Sequence, residues 1–163
     1  GPCDEDPAYF EECKDLIRRL DCPDIRFVGR ADVTDWLPKL DLVLLTSISE
    51  GQPFVLLEAM AARRPVVATN VGACREIIEG AEDGLGPAGR VVPVMSPAAI
   101  AEGILEISRS PATLRALAEN GYRRVVRLYQ DKDFLAAYRA LYRQAVQNRN
   151  REVDRPWQAS ALN

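Results

Sequence analysis

Two carboxylates, Glu50 and Glu58, bracket a polar loop and the apolar stretch behind it. Glu58 is the only charge between Phe54 and Ala62. Its neighbours one helical turn away are Phe54, Val55, Ala61 and Ala62, so no local ion pair is open to it. A carboxylate on a mostly apolar helix faces water, finds a partner, or takes up a proton. The vicinal hydroxyls of a ribose are a good partner, because one carboxylate accepts both hydrogen bonds. A solvent-facing Glu58, or one paired with a distant arginine, is the plainer alternative. Glu50 lies in the loop, where it could accept hydrogen bonds from sugar hydroxyls. The spacing alone carries little weight in a chain with twelve glutamates, and gains meaning only from the elements around it.

Those elements read as strand, loop, helix, strand. Leu42–Leu45 is apolar without alternation, as in a parallel strand covered on both faces. Thr46–Pro53 is polar, Phe54–Ala62 is helical, and Pro65–Ala68 is a second buried strand. In open parallel sheets ligands bind at the carboxyl ends of strands. The helix that follows offers free N–H groups and the positive end of its dipole, which favour a phosphate. Pro53 fits the first helical position, at the expense of one donor. An ordinary strand-to-helix connection is the competing reading.

The rest of the chain supplies the setting. A helix is expected from Asp6-Pro7 to residue 20, a strand at Ile25–Val28 ending at Gly29, and a short helix at Val33–Leu37 stopped by Pro38. Beyond the central unit follow a helix at Ala73–Glu79, a glycine-rich loop at 80–89 and a strand at Arg90–Val94. Helices are then expected at 97–108, 111–129 and 131–146. Within the second of these, Leu114, Leu117, Tyr122, Val125 and Val126 read as inward, and Arg123, Arg124 and Arg127 as a solvated face. In the third, Phe134, Leu135, Tyr138, Leu141 and Tyr142 form a stripe for a core or an inter-domain surface. The tail from Gln147 is polar except for Trp157. Four strands alternating with helices make an α/β fold, a Rossmann-like doubly wound parallel sheet that looks incomplete at its N-terminal end.

Composition narrows the function. A net charge of −3 and a pI near 5.1 argue against a nucleic-acid partner. The cysteines, at 3, 13, 22 and 74, form no CxxC pair, and there is no histidine, so a zinc site is not expected. The missing histidine also excludes Ser-His or Cys-His nucleophilic catalysis by this chain. Reduced thiols and a cytoplasmic location are expected, with no secretory signal visible after Gly1-Pro2, which could be native or a cleavage scar. A dinucleotide reading is poor: Gly84–Gly89 precedes a strand instead of following one.

Glu50-Gly51 with Glu58-Ala59-Met60, then Pro65–Thr69 and Val71-Gly72-Ala73, resemble the E-x7-E signature of glycogen-synthase-like retaining glycosyltransferases. These have the GT-B fold, two Rossmann-like domains across a cleft. The resemblance places residues 1–146 in the C-terminal, donor-binding domain, with 147–163 a polar tail. Gly1–Pro7, Ser47–Pro53 and Asp83–Pro93 look like the subgroup that makes Pel-type exopolysaccharide from UDP-glucose. By this resemblance Glu50 is the catalytic-site carboxylate on the donor sugar. Gly51, Gln52 and Phe54 approach sugar and diphosphate, Glu58 binds the ribose, and Gly29 and Arg30 lie against the base. No cofactor or metal is implied. The implied partners are a UDP-sugar donor, a polysaccharide or primer acceptor held by an N-terminal domain absent from this chain, and a membrane-embedded synthase complex.

Three departures from the family pattern stand out. Gln52-Pro53 stands where an aromatic residue and glycine are usual. Arg63 stands where the helix normally ends on glycine. The basic residues expected on the diphosphate are absent from this chain, so the isolated chain is expected to be inactive. Two rivals remain: a UDP-sugar epimerase or hydrolase of the same fold, and a non-catalytic nucleotide-sugar-sensing module of a synthase.

Overall fold

The computed structural model describes residues 5–153. Its elements are α1 (Pro7–Arg19), α2 (Val33–Trp36), a 3-10 turn (Leu37–Lys39), β1 (Val43–Leu45), α3 (Phe54–Ala61), β2 (Val66–Thr69), α4 (Cys74–Glu79), β3 (Gly89–Val92), α5 (Pro97–Ser108), α6 (Pro111–Leu128) and α7 (Asp131–Val153). The strands are parallel in the order β1-β2-β3, with Val43 opposite Val66 and Val66 opposite Gly89.

β2 is buried along its whole length, and its side chains alternate between two cores. Val66 and Ala68 join Leu56, Ala59 and Met60 of α3 and Ile77 and Ile78 of α4. Val67 and Val92 meet Ile107 of α5 and Leu117 of α6. Helices therefore cover both faces, as the doubly wound reading requires. Burying each large side chain, such as Leu56 or Ile78, is worth roughly 2 kcal/mol. The helix starts also follow the sequence. Asp6, Ser96 and Ser110 cap α1, α5 and α6 through the amides of Tyr9, Ala99 and Ala112, and a proline occupies the first turn of each.

Several expectations are corrected. Ile25–Val28 forms no strand. β1 is an edge of the described sheet, and Ile25–Val28 does not pair with its free side, so the segment has no ladder hydrogen bonds to hold it as a strand. Ile25, Phe27 and Val28 stay about half exposed, and Phe27 instead meets Phe10 edge-on, with ring centroids 4.9 Å apart. The described sheet thus has three strands, not four. The short helix does end ahead of Pro38, at Trp36, and the chain passes into a 3-10 turn at Leu37–Lys39. α7 continues past residue 146 to Val153, into the stretch read as tail; Trp157 lies outside the described residues. Phe134, Leu135, Tyr138, Leu141 and Tyr142 are exposed, which removes the core alternative and leaves the inter-domain one.

The largest correction concerns α6. Leu117, Ala118, Gly121 and Arg124 form its buried stripe, while Val126 turns outward. Arg123 and Arg127 are on the solvated face as expected, but Arg124 is fully buried. A charge at helical spacing from Leu117 and Gly121 was the available signal, and it means a buried partner.

Candidate functional site

The loop at the carboxyl end of β1 is braced from the neighbouring strand. The Thr69 hydroxyl, at the end of β2, donates to the carbonyl of Ser47. The Ser47 hydroxyl donates to Oε1 of Glu50 at 2.7 Å. Beyond β2 the chain turns at Gly72, whose φ of +49° lies in the left-handed region. A Cβ there would stand 2.3 Å from the carbonyl oxygens of both Glu50 and Gly51, so only glycine lets the two loops meet. The next residue seals the contact: the Ala73 N–H donates to the Gly51 carbonyl at 2.9 Å.

Pro53 then starts α3 as its cap, with extended backbone at φ −74° and ψ 111°, not as its first helical residue. The opening N–H groups of α3 therefore belong to Phe54 and Val55, which have no partner within the helix. Phe54 and Gln52 are exposed. Glu58 lies one turn along α3, exposed, its carboxylate with no hydrogen bond or ion pair among the described residues. Glu50, Gly51, Gln52, Phe54 and Glu58 are thus joined in one strand-end loop and helix. Gly29 and Arg30 are not brought there by a strand. Gly29 turns the chain at φ +66° in an irregular segment that leads to α2, and Arg30 is exposed.

Beneath the loop, Cys74 is completely buried. Burial pushes its thiol pKa up, and the negative charge of Glu50 adds to the effect. Residues 46–62 contain no lysine or arginine. The site's attraction for an anion therefore rests on the α3 N-terminus, while its carboxylates accept hydroxyl protons. That combination suits a polyhydroxylated anion. Clefts of about 390 Å³, beside Gly89 and Glu106, and about 220 Å³, beside Pro65 and Arg115, lie toward the amino ends of the strands and include neither Glu50 nor Glu58. Among the described residues no cluster of three His, Cys, Asp or Glu side chains could hold a metal ion, and no helix is long and apolar enough to cross a membrane.

Comparison with known proteins agrees with this architecture. Residues 1–110 match the family model for glycosyl transferases group 1. The chain is 33% identical over 162 residues to a D-inositol 3-phosphate glycosyltransferase of Kineococcus radiotolerans, covering 93% of this chain and 36% of that protein. It is 31% identical over 113 residues to an MMP alpha-(1->4)-mannosyltransferase of Mycolicibacterium hassiacum, covering 68% of this chain and 26% of that one. The chain thus spans about a third or less of the length of these curated relatives. Among solved structures, sucrose-phosphate synthase from Thermosynechococcus elongatus superposes with a TM-score of 0.76 at 27% identity, over 86% of this chain and 35% of that one. The C-terminal domain of a glycosyl transferase group 1 family protein from Francisella tularensis gives 0.63 at 28% identity, over 80% of this chain and 66% of that one. The matched share of the larger proteins, the doubly wound half-sheet and the loop-to-helix site at its carboxyl edge agree: this chain belongs to the glycosyl transferases group 1 family.

Proposed function

We propose that this chain is the nucleotide-sugar half of a retaining hexosyltransferase, with UDP-glucose as donor and a polysaccharide or primer as acceptor in exopolysaccharide synthesis. The observation that carries the reading is the pairing of a braced loop bearing Glu50 with a partnerless Glu58 one turn into the helix that the loop feeds. Glu58 accepts the ribose hydroxyls. The Phe54 and Val55 amides meet a phosphate. Glu50 holds a hydroxyl of the hexose, and Gln52 borders it. Gly29 and Arg30 border the base.

In this reaction the bond from the anomeric carbon to the diphosphate oxygen breaks, and a bond to the acceptor oxygen forms on the same face. The acceptor proton passes to the departing diphosphate. The chain contributes orientation and partial neutralisation of the leaving group. Residues 46–62 carry no cation for the leaving diphosphate; by the family resemblance the neutralising basic residues lie outside this chain, and the isolated chain is expected to be inactive. A membrane-bound synthase complex is the proposed setting.

The test is calorimetric titration of the full-length protein with UDP-glucose, UDP-N-acetylglucosamine, ADP-glucose and GDP-mannose, repeated with Glu58→Ala. UDP-glucose is expected to bind most tightly. Glu58→Ala is expected to weaken UDP itself by about tenfold, the loss of hydrogen bonds to a charged group. Unchanged UDP affinity in Glu58→Ala overturns the ribose assignment, and a preference for GDP-mannose overturns the donor.

A further inference from the structure

We propose that Ser47 is a positioning residue for Glu50. Its hydroxyl reserves one carboxylate oxygen and leaves the other to the donor sugar. The inference rests on the donor-site reading above and deepens it.

A glutamate in a polar loop ordinarily samples many rotamers, and its terminal torsion is broad. Glu50 is held at both ends. Its backbone lies against Gly72, where no side chain fits, and the adjoining Gly51 carbonyl is bonded by the Ala73 amide. Its Oε1 takes the hydroxyl proton of Ser47 at 2.7 Å. Ser47 is itself anchored, because its carbonyl accepts from the Thr69 hydroxyl. Thr69 is 1% exposed and ends the most deeply buried strand. A continuous line of contacts therefore runs from the core through Thr69 and Ser47 to one oxygen of Glu50.

Two consequences follow from hydrogen-bond chemistry. A serine hydroxyl has one proton, and here it goes to Glu50, so Ser47 has none left to donate to a ligand. Glu50 keeps Oε2 without a partner among the described residues, free to accept a sugar hydroxyl. Ser47 should therefore matter for the sugar moiety and not for the nucleotide.

The experiment compares UDP with UDP-glucose on the full-length protein, by calorimetry and by steady-state kinetics. Where another sugar nucleotide proves to be the donor, that compound and its nucleoside diphosphate replace the pair. Ser47→Ala is expected to leave UDP affinity within about twofold and to reduce UDP-glucose affinity and kcat/KM by about ten- to hundredfold, the span of one charge-assisted hydrogen bond. Ser47→Thr, which keeps the hydroxyl, is expected to restore most of the loss. Should Ser47→Ala fail to fold, Ser47→Cys, with a weakly donating thiol of similar size, takes its place. Glu50→Ala separates the two levels. If it leaves the affinity gain of UDP-glucose over UDP intact, the donor-sugar reading itself is wrong. If it removes that gain while Ser47→Ala behaves like the parent, the positioning role is wrong. Equal losses for UDP and UDP-glucose in Ser47→Ala, or Ser47→Thr as impaired as Ser47→Ala, likewise overturn it, since either outcome marks collapse of the loop.

Discussion

The fully buried Arg124 and the partly buried Asp83 form a two-armed ion pair, with Nε donating to Oδ2 at 2.6 Å and Nη2 to Oδ1 at 3.1 Å. The remaining guanidinium protons go to the carbonyls of Ile77, Ile78 and Gly86. One α6 side chain thus closes the C-terminal end of α4 and shapes the 80–89 loop. The other end of α4 follows Gly72 and Ala73, which support the Glu50 loop, so the latch and the site share a short helix.

Removing one member of this pair leaves a charge uncompensated at a site where Arg124 is out of contact with water. Arg124→Ala and Asp83→Asn are therefore each expected to cost roughly 3–5 kcal/mol in urea unfolding. Arg124→Lys should recover little, because an ammonium cannot reproduce the planar fork. A loss below about 1 kcal/mol for Arg124→Ala would show that the pair does not organise this end of the domain.

The same pair sets an acid limit. The Arg124 guanidinium draws the Asp83 carboxyl down from 3.8 to about 2. Because the folded value lies below the unfolded one, this contribution to stability is complete above about pH 4 and is lost as pH falls toward 2. Unfolding free energies measured between pH 5 and 2 should decline less steeply in Asp83→Asn than in the parent, and parallel curves would remove Asp83 as the cause. (The variant begins from a lower stability, so slopes are the quantity to compare.)

Arg63 tests a departure from the family pattern. It follows the end of α3 in the left-handed region, at φ +54°, with its amide bonded to the Met60 carbonyl and the Arg64 amide to that of Ala59, a Schellman ending. Its guanidinium lies 3.5 Å from the centre of the Tyr122 ring, and Nε is 3.3 Å from Glu119. These surface contacts offset a backbone cost of about 1 kcal/mol. Arg63→Gly should consequently stay within about 0.5 kcal/mol of the parent in chemical denaturation, whereas Arg63→Ala, which keeps the strain and loses the contacts, should cost about 1 kcal/mol. Equal stabilities of the two variants would contradict this balance.

These cases show what the sequence made legible. Apolar runs without alternation, Ser-Pro helix starts and the glycine turns located the central sheet, α5, α6 and the loop bearing Glu50, because local chemistry decides those features. Ile25–Val28 failed because a strand is defined by its pairing, and local pattern does not reveal whether the segment docks on the free edge of β1. Arg124 failed because neighbouring Arg123 and Arg127 made it look like part of a basic face; only its register with Leu117 and Gly121 distinguishes it. The Ser47–Thr69 brace was invisible, since it joins the ends of two strands through a side chain and a carbonyl. For Glu58, sequence reasoning found the absence of a local partner, and the structure adds that no distant one among the described residues takes its place.

Cys74 provides a reporter for the proposed site. It is buried beneath the Glu50 loop, whereas Cys13 and Cys22 are partly exposed. Burial raises its thiol pKa, so at neutral pH it is both shielded and poor in thiolate. Alkylation followed by mass spectrometry should therefore modify Cys13 and Cys22 first and reach Cys74 only when the loop or α4 opens. A donor that bridges Glu50 and the start of α3 stabilises the closed form, and saturating UDP-glucose at about 100 times its Kd should slow Cys74 modification by up to about a hundredfold without slowing Cys22. In Ser47→Ala the unliganded rate should stay close to the parent's, because Thr69 still holds the carbonyl of residue 47 and Ala73 still holds that of Gly51. If Cys74 reacts as fast as Cys22 in the unliganded protein, the loop is not closed over it in solution. If UDP-glucose binds and leaves the Cys74 rate unchanged, the ligand lies elsewhere than on this loop.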